Sequence, residues 1–285
     1  MTRHIISSMS LEKWPVPAEW ETAIHLYLQH ERASGAPLTT CATREQHLRQ
    51  LARAMKTSPW DIEPEQLLAW FSTRTWARET RRGRRTTYRS FWAWAVATGR
   101  TDVNAAAVLP AVKPAPPQPR PIPAAPLSLG IASSNARTAL ILTLAAEVGM
   151  RRAEIAQAHT RDLIPDLDGH SIVVHGKGGK DRIVPLSDDL ASELRQLPEG
   201  YFFPGRDNGH LSPRYVGKLA ANALPGEWTL HSGRHRFATN AHRASGDLLV
   251  VQDLLGHASP ATTRVYIAPD RSRARAVVQS LPRAA

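Results

Sequence analysis

Eight of the chain's 22 prolines crowd between Pro110 and Pro126. Each pyrrolidine ring removes a backbone donor and fixes φ, so neither a helix interior nor a central strand runs through such a stretch. The run therefore divides the 285 residues into two segments, each long enough to bury a core of its own. We expect a domain over 1–109, a semi-extended linker over 110–126 and a second domain over 127–285.

The first segment reads as helical. Trp20, Ala23, Ile24, Tyr27 and Leu28 recur at the spacing of one helix face, and Leu48, Leu51, Ala52 and Met55 repeat the pattern. Pro64 suits the first position of a third helix burying Leu67, Leu68 and Phe71, while Tyr88, Phe91, Trp92 and Ala95 mark a fourth that ends at Gly99. Seven of the eight tryptophans lie here; at helical spacing their natural place is the core of a four-helix domain, not an exposed base-stacking surface.

In the second segment Arg137 to Glu147 reads as a buried helix stopped near Gly149, and Arg151 to Ala158 as another, which puts Arg151 at a helix start. Ser171 to His175 and Arg182 to Leu186 are short β-rich runs joined by a glycine-rich hairpin turn, Gly176 to Asp181. Ser187, Ser212, Asp247 and Ser259 suit further helix starts, and Gly246 a stop. The expected fold is mainly α: a four-helix N-terminal domain, then a mostly helical domain with one small antiparallel β-sheet.

Lys and Arg outnumber Asp and Glu by 36 to 25, a net charge of +11, which points to a polyanionic partner, by default nucleic acid. The fourth helix opens with a cluster, Arg81, Arg82, Arg84 and Arg85, and Arg89 follows one turn on. A charge run is often only a solvated face; beside the hydroxyls of Thr86 and Thr87 this one suits phosphate contacts. The single cysteine, Cys41, excludes an intramolecular disulfide framework and any multi-cysteine zinc site. The N-terminus lacks a signal-peptide core, and no run of about 18 apolar residues occurs, so a cytoplasmic protein with no membrane role is expected.

Three separated segments hold the chemistry: Gly149-Met-Arg151-Arg-Ala-Glu154, His231-Ser-Gly-Arg234-His235, and Leu254-Leu-Gly-His257 running on to Tyr266. A phenol, spaced histidines and two arginines supply the parts for attack on a phosphodiester: a nucleophile, groups that move protons near neutral pH, and guanidiniums whose paired donors match phosphate oxygens. Other chemistries fail on spacing. In Gly176-Lys-Gly-Gly-Lys180-Asp181 an aspartate stands where a phosphate-binding loop needs Ser or Thr. His231 and His235 have the i, i+4 spacing of a zinc pair but no intervening glutamate. No G-x-S-x-G nucleophile elbow is present. No metal or other cofactor is expected.

Over roughly residues 18 to 270 these motifs closely resemble the tyrosine recombinases, the phage-integrase type of site-specific DNA recombinase. The resemblance implies a core-binding domain before the linker that clamps one face of a duplex, and a catalytic domain after it. It makes Tyr266 the nucleophile that forms a covalent phosphotyrosyl enzyme, and Arg151 and Arg234 the phosphate clamp. It casts His231 and His257 as phosphate or proton-handling groups, Lys177 as the residue that protonates the leaving 5′-oxygen with Lys180 as a neighbouring candidate, and Glu154 and His235 as supporting residues. Duplex recombination sites are the implied partner, with four protomers on two sites. Ser232-Gly233 departs from the apolar pair usual between the family's His and Arg, and the glycine is expected to loosen that helix start.

The first helix begins near Ala18, which leaves no room for an additional arm-binding domain, and 19 residues follow Tyr266 as a short tail. A minimal phage-type integrase is the leading expectation. A Xer-like dimer-resolution enzyme and a type IB topoisomerase are the enzymatic alternatives. A non-catalytic DNA-binding protein on the same scaffold is the alternative of another class, and strand cleavage discriminates it.

Overall fold

The computed structural model describes residues 15–115, 118–176, 179–257, 260–267 and 278–281. The chain divides into two compact units with the boundary between residues 116 and 117. No helix among the described residues is long and apolar enough to cross a membrane.

The N-terminal unit is built on four helices, α1 (Ala18–Ala33), α2 (Leu38–Met55), α3 (Pro64–Ser72) and α4 (Arg78–Ala97). The residues whose periodicity defines α1 are the ones it buries, Trp20, Ala23, Ile24, Tyr27 and Leu28. Pro64 occupies the first turn of α3, where a missing N–H costs no intrahelical bond. The core is aromatic: Trp20 stacks on Phe91 with ring centroids 5.6 Å apart, and Trp92 meets Phe91 edge-on at 5.1 Å. Trp94 is also buried, and Trp60, Trp70 and Trp76 pack against the same cluster, so these tryptophans are packing residues; Trp14 lies outside the described residues.

The C-terminal unit begins with a helix that the sequence pattern did not reveal, α5 (Ala124–Ala132). It starts inside the expected linker. Pro126 falls in its first turn, whose N–H groups lack intrahelical partners in any case, so the last proline of the run does not prevent the helix. Then follow α6 (Ala136–Glu147), capped by the Asn135 side chain accepting from Thr138 N at 2.9 Å, and the short α7 (Arg152–Gln157).

Three strands form one antiparallel sheet in the order β1 (Leu163–Asp166), β2 (Gly169–His175) and β3 (Asp181–Pro185). The β2–β3 hairpin matches the expectation. Strand β1 was missed because Leu-Ile-Pro-Asp is too short and too polar to show alternation. In register Val173 faces Ile183 and Ile172 faces Val184, so Ile172, Val174 and Val184 point into the core.

The remaining elements are α8 (Asp188–Arg195), β4 (Pro204–Asp207), α9 (Pro213–Ala223), α10 (Leu230–Ser245), α11 (Leu248–Leu255) and α12 (Pro260–Arg264). Ser212 and Asp247 cap α9 and α11 through their side chains, whereas Ser187 precedes α8 without a capping hydrogen bond; Gly246 ends α10 in the left-handed conformation. Ser259 lies outside the described residues. Gly233 does not loosen α10. It lies inside the helix where α10 crosses α6, and a Cβ there would come within 3.2 Å of the Ala145 Cβ. The glycine therefore permits close helix approach, which offsets its low helix propensity.

Candidate active site

The site is assembled at element ends. Arg151 stands immediately before α7, and its backbone N–H donates to Glu154 Oε2 at 2.8 Å while its Nη1 donates to Oε1 at 2.6 Å. The carboxylate thus ties the arginine to the first turn of the helix. Glu154 is buried, yet it also accepts from Arg182 Nη2 at 2.8 Å, and Arg234 Nη1 lies 3.9 Å from it. Burial alone would raise the Glu154 carboxyl. The hydrogen bond and charge of Arg182, reinforced by Arg151, outweigh burial and hold it down at about 2.

Arg234 projects from α10 and is fully buried. It donates to the carbonyls of Gly149 and Leu255, the latter at 2.8 Å, and to His257 Nε2 at 3.0 Å. Its Nε has no partner among the described residues. Burial, and then the charges of Arg151 and Arg182, lower its pKa, but a guanidinium remains protonated at physiological pH. Gly149 is specifically required at this point. Its φ of +68° is left-handed, and a Cβ would fall 2.4 Å from Phe237 Cδ1, so only glycine leaves the carbonyl free to receive Arg234.

Tyr266 follows α12 and is half-buried among the predicted partners. Its ring stacks on His235 at 4.5 Å between centroids and lies 5.2 Å from His231 and 4.9 Å from His257. The Arg234 guanidinium carbon is 5.5 Å from its ring centre. His235 Nδ1 donates to the Tyr266 carbonyl at 3.3 Å, anchoring the segment that carries the phenol. His257 Nδ1 is 3.0 Å from Thr263 Oγ1, so both of its ring nitrogens are engaged within the protein. Burial lowers His231, His235 and His257, the last two to about 4; Arg234 adds to the effect on His231 and His257, and His231 on His235.

Six sequence-predicted residues, Arg151, Glu154, His231, Arg234, His235 and His257, are therefore gathered around Tyr266. Lys177 lies outside the described residues. The hairpin that carries it is held at its base by His175, whose Nε2 and Nδ1 are each 3.0 Å from a carboxylate, Asp162 and Asp181; those partners raise its pKa. Among the described residues no three His, Cys, Asp or Glu side chains group as metal ligands.

Arg182 was not anticipated. It is buried on β3 at the inward position two residues before Val184, bonds Glu154, and donates through Nε to the Leu254 carbonyl at 2.9 Å. The signal was available: once Val184 points inward, strand alternation turns Arg182 inward as well, and a buried guanidinium demands an acidic partner. The α4 arginine run is placed differently from expectation. Arg84 is buried with its guanidinium over Trp76 at 4.5 Å; Arg85 and Arg89 donate to the carbonyls of Leu109 and Ala107, and Arg81 to those of Phe71 and Arg74. Arg82 is exposed, paired with Glu79 at 2.8 Å. Arg81, Arg84, Arg85 and Arg89 thus hold the unit together through their donors and ring contacts. Arg82 and Thr86 open onto a hydroxyl-lined groove between α2 and α4.

A mostly helical unit with a three-stranded sheet, carrying Arg, His, Arg, His and Tyr in this constellation, defines the tyrosine recombinase class. The phage integrase family model matches residues 124–273, and the chain belongs to that family. It is 36% identical over 182 residues to the tyrosine recombinase XerC of Methylobacterium sp. (strain 4-46), covering 54% of this chain and 56% of the relative. It is 33% identical over 211 residues to that of Bradyrhizobium diazoefficiens, covering 65% of each. The chain thus spans between about half and two-thirds of the length of these curated relatives. Its fold is similar to that of a lambda integrase dimer bound to a COC′ core site (TM-score 0.71, 18% identity, 89% of this chain and 78% of that chain). It is also similar to XerH bound to a palindromic difH substrate (TM-score 0.65, 21% identity, 88% and 82%).

Proposed function

We propose that this protein is a site-specific tyrosine recombinase that cleaves and rejoins duplex DNA through a covalent 3′-phosphotyrosyl intermediate. The observation that carries the reading is the charge imbalance beside Tyr266: three guanidiniums, Arg151, Arg182 and Arg234, converge on the single carboxylate of Glu154. Two positive charges are left over in this largely buried cluster, and the partly exposed Arg151 opens it to an anion that complements them. A phosphodiester fits, because its nonbridging oxygens gain charge in the transition state just where preorganised donors stand.

In the reaction so framed, Tyr266 Oη attacks phosphorus, the phosphotyrosyl bond forms and the P–O5′ bond breaks. The phenolic proton passes to His231, kept neutral by burial and by Arg234, and Lys177 supplies the proton to the departing 5′-oxygen. Rejoining is the reverse attack by a 5′-hydroxyl, so the bond energy is conserved and no ATP is consumed. We assign the N-terminal unit a core-binding role, with Arg82 and the groove beside it facing phosphate, and the full reaction to a homotetramer on paired sites. The protein acts in the cytoplasm. The biological role we favour is that of a phage-type integrase; the likeness to XerC proteins supports a Xer-like resolution role beside it, with the same chemistry.

The test is capture of DNA. Purified protein incubated with fragments of its source genome in chelator and without ATP is expected to yield detergent-resistant protein–DNA adducts enriched in one sequence. Stoichiometric non-covalent binding with no such adduct would make the chain a DNA-binding protein without catalysis.

A further inference from the structure

A cavity of about 490 Å³ opens beside the clamp, lined among others by Arg151, Arg152, Arg214, His231 and Arg234. That is more space than the oxygens of one phosphate group fill. Among the described residues, four arginines and no carboxylate line it. Two of them belong to the clamp already described. The other two have no role so far: Arg152 and Arg214 are exposed, and among the described residues neither guanidinium has an ion-pair or hydrogen-bond partner.

Their backbones fix where they point. Arg152 is the first residue of α7, adjacent to Arg151. Its stem lies along α9, because a Cβ on Gly217 would sit 3.8 Å from Arg152 Cδ. Arg214 lies three residues before Gly217 on α9 and so shares that helix face. An arginine from each helix thus reaches the wall of the cavity that Gly217 also lines. Arg234 lies fully buried beneath, and its buried Nε has no partner among the described residues. Arg152 and Arg214, which have no ion-pair partner among the described residues, add like charge to the clamp that an anion would offset, and exposed guanidiniums bind phosphate oxygens with little desolvation cost.

We propose that Arg152 and Arg214 form a second phosphate site, which holds the backbone phosphate adjacent to the one attacked by Tyr266 on the same DNA strand. The inference rests on the recombinase reading and extends it: two successive phosphates are gripped, one by Arg151 and Arg234, the next by Arg152 and Arg214. Arg152 and Arg214 are binding residues, which add to the affinity for the strand without entering the reacting geometry.

The experiment is equilibrium binding of the full chain to a fluorescent duplex across a salt series, comparing wild type, Arg152→Gln, Arg214→Gln, the double variant, and Arg206→Gln as a control on β4 outside the cavity. Each lost phosphate contact is expected to reduce the log–log salt slope by about 0.9, and the double variant by about 1.8, with the control unchanged. On a captured site, cleavage by the double variant is expected to recover at saturating DNA, a rise in KM with kcat largely kept. A steep wild-type slope matched by the double variant overturns the second site and leaves the recombinase reading intact. An equal loss in Arg206→Gln also overturns it, because the effect is then general charge. A wild-type chain that does not bind duplex removes both.

Discussion

The Arg234 guanidinium donates through Nη2 to Nε2 of His257 across 3.0 Å. A guanidinium has donors only, so this nitrogen must accept, and the ring proton must sit on Nδ1, where it points at Thr263 Oγ1 3.0 Å away. His257 is thereby fixed as a neutral imidazole with one tautomer. Nitrogen-15 NMR of the free protein is expected to show the Nδ1–H form with a pKa near 4. A ring that titrates near pH 6.5, the ordinary value, contradicts this arrangement.

Stability follows from the same depressed values. His235 and His257 titrate at about 4 in the folded chain and near 6.5 when unfolded, so their contribution is complete above the unfolded value and is lost as pH falls toward 4. The loss should reach on the order of 1–2 kcal/mol per histidine at about pH 5. His175, raised by Asp162 and Asp181, opposes the trend, being more favourable at low pH. Urea midpoints for wild type and His257→Gln therefore isolate the effect: the variant should lose less stability on acidification, and parallel pH profiles would remove His257 from the account.

Glu154→Gln keeps the shape of the hub and removes the charge that three arginines share. Breaking a buried pair in this way costs roughly 3–5 kcal/mol, and an added anion should restore part of the loss by binding the cations left unpaired. Thermal unfolding with and without inorganic phosphate checks this. No gain from phosphate in either protein would show that the cluster does not act as an anion site.

Gly149→Ala combines left-handed backbone with a contact of 2.4 Å to the Phe237 ring. The variant is expected to lose at least about 2 kcal/mol and to displace the carbonyl that receives Arg234. A denaturation midpoint equal to that of wild type would mean that Phe237 moves aside freely.

Arg151→Ala or Arg234→Ala should slow cleavage at least about a hundredfold while weakening DNA binding less, since their charge complements the transition state. Single-turnover rates on saturating DNA give the comparison. Proportionate losses of binding and rate would reduce both arginines to docking contacts.

Much of this fold can be read from sequence because its periodicities are strong. The faces of α1 and α4 are unbroken, and the Gly246 stop and the Ser212 and Asp247 caps are each local. The C-terminal site was legible because its residues lie in short segments with fixed spacing. What escaped depends on tertiary context. Helix α5 hides behind the prolines, and Gly233 looks like a defect until α6 packs against it. Arg84 looks like surface charge until Trp76 is found beneath it. Arg182 is one basic residue among 36, and only the register of β3 distinguishes it.

In the proposed reaction the Tyr266 oxygen becomes bonded to DNA. Wild type and Tyr266→Phe are to be incubated with the captured site carrying a nick near the cleavage point, and the adducts digested and sequenced by mass spectrometry. Wild type is expected to yield a nucleotide-bearing peptide modified at Tyr266, and the Phe variant to bind the same DNA with unchanged affinity and yield none. Adduct from the Phe variant at the wild-type level, or a modification on another residue, would contradict the account.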